Sequence, residues 1–198
     1  MPRISDARRE ARRDQILDAA ERCFAREGFH AAGMAEIVAE AGMSAGGAYR
    51  YFSSKDALIG AIVDRLLTRL GGALDGATVS VRTVEALVDA ALDAAAAVFD
   101  ASVDTYARLL PQVWTEALRD PTIQVHVRTS YEAILGVLAT RAATIEAAAG
   151  LPVGTTPRGV AHLVLATMQG FMLQRLLLGP TMDVAAFRAA ARSMLRPL

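Results

Sequence analysis

Small, hydroxyl-bearing and basic residues are concentrated between residues 34 and 55, in a pattern suited to contacting a nucleic acid. Residues 34–52 read as a short helix, a three-residue turn and a second short helix. Gly42 tolerates the positive φ that such a turn requires, and Ser44 is placed to cap the second helix. The outer face of that helix must be small to enter a major groove about 12 Å wide. The small residues there are Ala45, Gly46 and Gly47.

The residues that follow supply groups that bind phosphate. Lys55 lies in the first turn of the next predicted helix, where the helix dipole disfavours a cation. A phosphate held between Lys55 and free backbone amides would reverse that cost. Tyr49 and Tyr51 add hydroxyl groups, although both could instead pack in a small core. Two glycines near a helix start cost about 1 kcal/mol each relative to alanine, which favours close approach of the backbone to another surface.

The elements that must position these groups are helices. Alanine is abundant, β-branched runs are short, and glycine and proline are sparse between residues 55 and 149. This composition predicts an all-α protein of about nine helices. Gly28 is expected to end the first helix, and Ser53 and Asp56 are spaced as a capping box for the fourth. The predicted helices cover about 6–27, 34–41, 45–51, 54–75, 83–101, 103–119, 121–149, 158–178 and 183–195.

Composition and charge limit the class of protein. The chain has 198 residues, 53% of them hydrophobic, and a net charge of zero, so any DNA contact must be local rather than a broad basic face. The segment 1–13 holds five arginines against two acids, and it is either a flexible arm for phosphate or a solvated helix start. Cys23, the only cysteine, is expected to be a buried, inert thiol. The sequence shows neither a signal peptide nor an uninterrupted membrane span, which predicts a cytoplasmic protein without membrane contact.

The N-terminal quarter resembles the DNA-binding domain of the tetracycline-repressor (TetR-like) family. The matching positions are Arg13, Ile16, Ala19, Ala20, Phe24, Gly28, Phe29, Ile37, Ala41, Gly42, Met43, Ser44, Gly46, Tyr49, Tyr51, Phe52, Lys55 and Leu58. Gly33 stands where the family usually has a capping threonine, and Val38 where it usually has alanine. The resemblance implies a helix-turn-helix domain over 1–54 and a helical ligand-binding and dimerisation domain over 55–198. The residues predicted to contact DNA are Gly33, Ser44, Ala45, Gly46, Gly47, Tyr49, Tyr51 and Lys55.

The helix at 158–178 is apolar almost all round, so it must be buried on every side. A second subunit would cover the part that its own core does not, and Gly159, Ala166 and Gly170 would allow close approach. The expected homodimer uses this helix and the one at 183–195, with Phe187, Ala190 and Leu195 contributing. A central helix in a monomer is the alternative.

Large residues on the C-terminal helices outline a possible ligand pocket, although plain core is the commoner use of such residues. Alanines at 91, 95 and 96 leave space that favours a cavity. The predicted ligand-binding residues are Phe99, Tyr106, Trp114, His126, Tyr131, Met168, Gln169 and Met172. Further polar groups within reach are Gln112, His162 and Arg175.

Three functions remain open at this point. The first is a repressor that leaves a near-palindromic double-stranded operator when an apolar or aromatic effector binds. The second is an enzyme, for which the sequence offers no nucleophile elbow, phosphate loop, paired carboxylates or metal-ligand spacing. The third is a structural helical dimer that has lost DNA binding. No catalytic residue, metal site or cofactor is predicted.

Overall fold

The architecture is entirely helical across the residues that the structure describes. This computed structural model describes residues 6–100, 105–151 and 153–194. For residues 99, 100 and 105–107 it describes the backbone alone. These ranges contain nine α-helices and a short 3₁₀ turn at Gly179–Thr181, which confirms the predicted all-α class. The helices are α1 (Asp6–Ala31), α2 (Met34–Glu40), α3 (Ala45–Tyr49), α4 (Lys55–Thr78), α5 (Val84–Asp100), α6 (Thr105–Ala117), α7 (Pro121–Ala149), α8 (Pro157–Leu178) and α9 (Val184–Met194).

Several helix ends differ from the prediction, and α4 runs to Thr78 rather than to residue 75. Gly28 breaks α1 at φ 86° and ψ 162°, but a further turn follows as far as Ala31. The predicted capping box is wrong, because the Ser54 hydroxyl, not that of Ser53, accepts the hydrogen bond from the Ala57 amide at 3.1 Å. The helix starts one residue later than the box requires, at Lys55.

The chain divides into two compact units. The N-terminal unit comprises Met1–Leu66 and Val103–Val127, and the C-terminal unit comprises Leu67–Ser102 and Arg128–Leu198. Helices α4 and α7 therefore contribute residues to both. The predicted domain boundary between residues 54 and 55 stays a prediction, because the two units are defined by the contacts among their residues and not by the residues' roles.

The N-terminal unit is built on the apolar faces of α1, α2 and α4. Ile16, Phe24, Ile37 and Leu58 are fully buried, as helices with apolar residues every three to four positions require. Cys23 is buried with them, and burial raises the pKa of its thiol. The thiol is therefore protonated and inert at neutral pH, in line with the sequence-based expectation.

The C-terminal unit packs α5 against α8 and α9. The rings of Phe171 on α8 and Phe187 on α9 lie 5.4 Å apart. Two ion pairs join α9 to α5: Arg188 reaches Asp93 at 2.6 Å and Arg192 reaches Asp89 at 2.7 Å. Apolar packing and charge together fix the position of α9 on this unit.

One face of α8 stays uncovered within the protomer. Val160, Val164, Met168, Phe171 and Met172 are buried on the inner face. The outer face carries what we term the α8 stripe, whose members recur every three or four residues: Gly159, Leu163, Ala166, Gly170, Leu173 and Leu177. Leu163, Leu173 and Leu177 are 41%, 38% and 72% exposed. A stripe of that period is the geometry of a helix that packs on another helix.

Length and composition alone would also allow Pro157–Thr181 to cross a membrane. His162 and Gln174 interrupt its outer face, however, and its inner face belongs to the core of the C-terminal unit. A helix whose inner face lies in a protein core passes the same test of length and composition.

Candidate nucleic-acid interface

The turn between α2 and α3 has the geometry of a Schellman motif. Gly42 adopts φ 62°, its amide donates to the Ala39 carbonyl at 3.0 Å, and the Met43 amide donates to the Val38 carbonyl at 3.1 Å. A residue with a Cβ atom would be strained at this φ. The expectation that Gly42 makes the turn is therefore met by the backbone conformation.

Side chains of α1 hold the turn and α2 in place. The Gln15 amide group donates to the Ala41 carbonyl at 2.7 Å. Arg22 pairs with Glu40 at 2.8 Å and Arg26 with Glu36 at 3.1 Å. The surface ion pairs contribute little each, but the Gln15 bond satisfies a carbonyl at the helix end, where the backbone has no partner of its own.

The second helix of the motif turns a buried face inward and an exposed face outward. Ala48 is fully buried, whereas Ser44, Ala45 and Gly46 are exposed and Tyr49 is 50% exposed. The Ser44 hydroxyl accepts from the Gly47 amide at 3.3 Å, so Ser44 caps α3 as predicted. Tyr51 is half-buried. Within α3 the exposed residues are small except for Tyr49, and the exposed Arg50 follows at the C-cap.

The glycines of this region do not share one explanation. A Cβ atom at Gly47 would lie 3.0 Å from the Ser44 hydroxyl, so the cap itself favours glycine there. A Cβ atom at Gly46 or Gly33 would meet nothing within 4 Å, and neither residue has a positive φ. Gly33 caps α2 in an extended conformation without a side-chain bond. Close approach of the backbone to another surface therefore remains the explanation for glycine at position 46 alone.

Lys55 has a partner inside the protein. Its ammonium group donates to the His30 carbonyl at 2.9 Å, near the end of α1. That bond uses one of its three donors, and the side chain is only half-buried. Phosphate contact by Lys55 stays a prediction.

Four of the N-terminal arginines, Arg8, Arg9, Arg12 and Arg13, lie on a helix, and Arg3 lies outside the described residues. Because α1 begins at Asp6, Arg8 to Arg13 are helical rather than a flexible arm. Arg12 donates to the Gln15 side chain at 2.7 Å, and the Arg13 guanidinium lies 5.2 Å from the centre of the Phe52 ring. Contact of these arginines with phosphate or the minor groove stays a prediction.

Gln112 has a role that the sequence did not indicate. Its side-chain oxygen accepts from the Phe29 amide at 2.9 Å, and its amide group donates to the carbonyls of Phe24 and Arg108 at 3.3 and 2.9 Å. Gln112 thus bonds to the backbone of α1 on both sides of the break at Gly28. It is therefore not free to serve as the ligand-binding group that the sequence suggested.

Replacing Gln112 with methionine is expected to lower the free energy of unfolding by about 1–3 kcal/mol, because both backbone groups of α1 lose their partner. Urea denaturation of the full chain at fixed protein concentration measures this. Gln124, exposed on α7, provides the control, and Gln124→Met should stay within about 0.5 kcal/mol of the parent. Equal losses in the two variants would show that the bonds to α1 contribute nothing specific.

The residues predicted to bind an effector fall in different units. His126 lies in the N-terminal unit, where its Nδ1 is 2.9 Å from Asp64, and Trp114 lies in the same unit. In the C-terminal unit Met168 and Met172 are buried, and the Gln169 amide donates to the Tyr131 hydroxyl at 2.9 Å. The side chains of Phe99 and Tyr106, and Leu195 of the expected dimer interface, lie outside the described residues. His162 is exposed on α8.

Among the described residues, no group of three or more His, Cys, Asp and Glu side chains is arranged to hold a metal ion.

Two family patterns match the chain in succession. That of the bacterial regulatory proteins of the tetR family matches residues 16–62. That of the C-terminal domain of BetI-type transcriptional repressors matches residues 88–198, more than half of the chain. The first match includes α2 and α3, and the second includes α8 and α9.

Individual proteins show the same relationship. The chain is 44% identical over 62 residues to the HTH-type transcriptional repressor Rv1474c of Mycobacterium tuberculosis, which covers 31% of this chain and 33% of that protein. It is 40% identical over 89 residues to the HTH-type transcriptional activator FasR of Mycolicibacterium smegmatis, with coverage of 43% and 41%. The chain thus spans less than half the length of these two curated relatives.

A solved structure extends the likeness to nearly the whole chain. Salmonella enterica GusR superposes with a TM-score of 0.78 at 25% identity, covering 98% of this chain and 96% of that one. With the helix-turn-helix geometry and both family patterns in sequence order, the chain belongs to the tetR family of bacterial transcriptional regulators.

Proposed function

We propose that this protein is a cytoplasmic, homodimeric repressor that binds a near-palindromic operator and is released from it by a small apolar or aromatic effector. The observation that carries the proposal is the surface of α3. Its inner residue Ala48 is fully buried, while Ser44, Ala45 and Gly46 are exposed and small. Such a helix can sink into the major groove and bring Tyr49 to the base edges or phosphates.

The α8 stripe supports the dimer. Leu163, Leu173 and Leu177 are exposed on one line, and a Cβ atom at Gly170 would meet nothing within 4 Å in the protomer. A Cβ atom at Gly159 would lie 3.3 Å from the Thr156 hydroxyl that caps α8, so this glycine is explained by the cap. Ala190 and Met194 are exposed on α9 and extend the apolar surface, whereas Phe187 packs on Phe171. A two-fold dimer through this surface would present two copies of α3 to successive grooves.

The C-terminal unit is where we place the effector. Met168 and Met172 supply an adaptable apolar lining, and the Gln169–Tyr131 pair supplies hydrogen-bonding groups beside them. Release requires the effector to bind the DNA-free conformation more tightly than the DNA-bound one. Helix α4 contributes residues to both units and is the element that we expect to carry the change.

The test begins with selection of binding duplexes from a random pool by the full-length protein, followed by gel-shift titration. We expect a selected sequence with two-fold symmetry. A screen of aromatic and aliphatic compounds by thermal shift then supplies a ligand, and the ligand and the selected duplex should weaken each other's binding by the same factor. A ligand of the C-terminal unit that leaves operator affinity unchanged, or failure to select any duplex at low salt, contradicts the proposal.

Regulation in the opposite sense has one specific observation behind it, since FasR is named as an activator. The C-terminal match to BetI-type transcriptional repressors favours repression. A reporter gene placed behind the selected duplex distinguishes the two, because deletion of the regulator raises expression for a repressor and lowers it for an activator.

A further inference from the structure

A surface pocket of about 400 Å³, largely open to solvent, lies within the N-terminal unit, between the end of α1 and one face of α6. We call it the α1–α6 cavity. It is lined by residues 27–31 and by Pro111, Gln112, Thr115 and Glu116. Its volume falls in the range of about 300–1,000 Å³ that is usual for small-molecule sites. Apart from Gln112, none of these residues belongs to the set predicted to bind the effector.

The break in α1 creates this space. At φ 86° and ψ 162°, Gly28 turns the chain out of the helical path, and the Gln112 side chain bonds to the backbone on either side of the break. A side chain at position 28 would be strained at that φ, and its Cβ would lie 3.5 Å from the Gln112 oxygen. The cavity is therefore a built feature of the α1 and α6 backbone, held open by hydrogen bonds.

The walls combine apolar surface with negative charge. Ala31 and Pro111 supply apolar surface, while Glu27 and Glu116 supply carboxylates. The Phe29 ring is buried against Phe24. The only basic group in the lining is His30, whose Nε2 lies 3.3 Å from a Glu116 oxygen. The Glu116 side chain is 16% exposed, so water screens its charge less than that of a surface acid.

Glu27 belongs to a group of acidic side chains that outnumber the arginines beside them. Arg26 pairs with it at 3.2 Å, but Arg26 is shared with Glu36 at 3.1 Å and Glu40 at 3.8 Å. A hydrogen bond between the Glu27 and Glu36 carboxyl groups raises the pKa of Glu27, as expected where two carboxylates compete for one cation. An anionic ligand would be repelled from this end of the cavity, and a cationic one attracted.

We propose that the α1–α6 cavity binds a small organic cation, a protonated amine with an apolar body, through Glu27 and Glu116. The ammonium group binds the two carboxylates, and the apolar body packs on Ala31 and Pro111. Charge-assisted hydrogen bonds to carboxylates are the strongest contacts that this set of residues offers. The site goes beyond the proposed function, since it lies in the N-terminal unit and requires neither operator nor effector.

The experiment uses ¹⁵N-labelled full-length protein and benzylammonium as the probe, with benzyl alcohol and benzoate as neutral and anionic counterparts. We expect saturable shifts for the backbone amides of Gly28, Phe29 and Thr115 with benzylammonium alone. Glu116→Gln should weaken binding by about tenfold. Glu146→Gln, which removes an exposed charge at the end of α7, should leave it unchanged.

A second variant tests whether the ligand occupies the cavity, without changing the charge of the cavity walls. Thr115 is exposed, so Thr115→Trp is expected to fold, to fill the cavity and to abolish the shifts while the thermal melt of the protein is retained. Equal binding of benzyl alcohol or benzoate, shifts confined to other residues, absence of saturation, or equal weakening by Glu146→Gln would each overturn the proposal. None of these readouts involves DNA, so failure here and failure of the repressor proposal are distinguishable.

Discussion

Replacing Gly46 by glutamate is expected to abolish operator binding while the protein stays folded. Gly46 is exposed on α3, its φ is not positive, and a Cβ atom there would meet nothing within 4 Å. Glutamate is the better helix former by up to about 1 kcal/mol, so the variant should be at least as stable as the parent. In the groove, however, the carboxylate meets DNA phosphates, and like charges at an interface cost several kcal/mol. Operator affinity should therefore fall by roughly a hundredfold or more.

Gel shifts on the selected duplex, together with a thermal melt, measure both effects. Gly72 provides the matched control, since it is an exposed helical glycine on α4 with equally open surroundings. Gly72→Glu adds the same charge and should leave operator affinity close to that of the parent. If Gly46→Glu binds as tightly as Gly72→Glu, the outer face of α3 does not enter the groove.

Replacing Gly170 by arginine is expected to convert the proposed dimer into a monomer and, as a consequence, to remove operator binding. Gly170 lies in the middle of the α8 stripe, and the space beyond it is open in the protomer. Across a two-fold axis the same position recurs on the partner, so the variant would bring two long cations together in an apolar interface. Loss of the dimer also removes the second half-site, and with it the avidity of about 10²- to 10⁴-fold that linkage provides.

Sedimentation gives the oligomeric state, and gel shift gives the affinity. The control is Ala143→Arg, which adds the same side chain at an exposed position of α7. It should remain dimeric and bind the operator normally. A Gly170→Arg variant that still sediments as a dimer would show that the α8 stripe faces something other than a second copy.

Local sequence patterns predicted most of the helices because the signals that start and end a helix are themselves local. Gly42 and Ser44 indicated the turn and the cap of α3, and both adopt those roles. Asp56 stands three residues after Ser53, which is the spacing of a capping box, so the pattern of residue types points to Ser53 rather than to Ser54. The structure assigns the cap by a bond that only coordinates provide.

The contacts that hold the N-terminal unit together could not be predicted in this way. Gln112 and Phe29 are 83 residues apart, and nothing about a glutamine on a helix indicates that it will bond to the backbone of another. The same holds for Arg65, which pairs with Asp18 on α1 at 2.5 Å. The methionines at 168 and 172 illustrate a different difficulty. Core and cavity lining have the same composition, so sequence alone does not separate them.

The bonds from Gln112 to α1 bear on how regulators of this kind can be recombined. A chimera that joins the first 54 residues of this chain to the helices of another regulator would separate α1 from the glutamine that completes its interrupted turn. Grafts that also carry residues 103–127 keep that partner, and the donor's α6 then travels with its DNA-reading helices. The unit that must be exchanged as a whole thus consists of two separate segments of the chain, Met1–Leu66 and Val103–Val127. A chimera with a single crossover point would divide it.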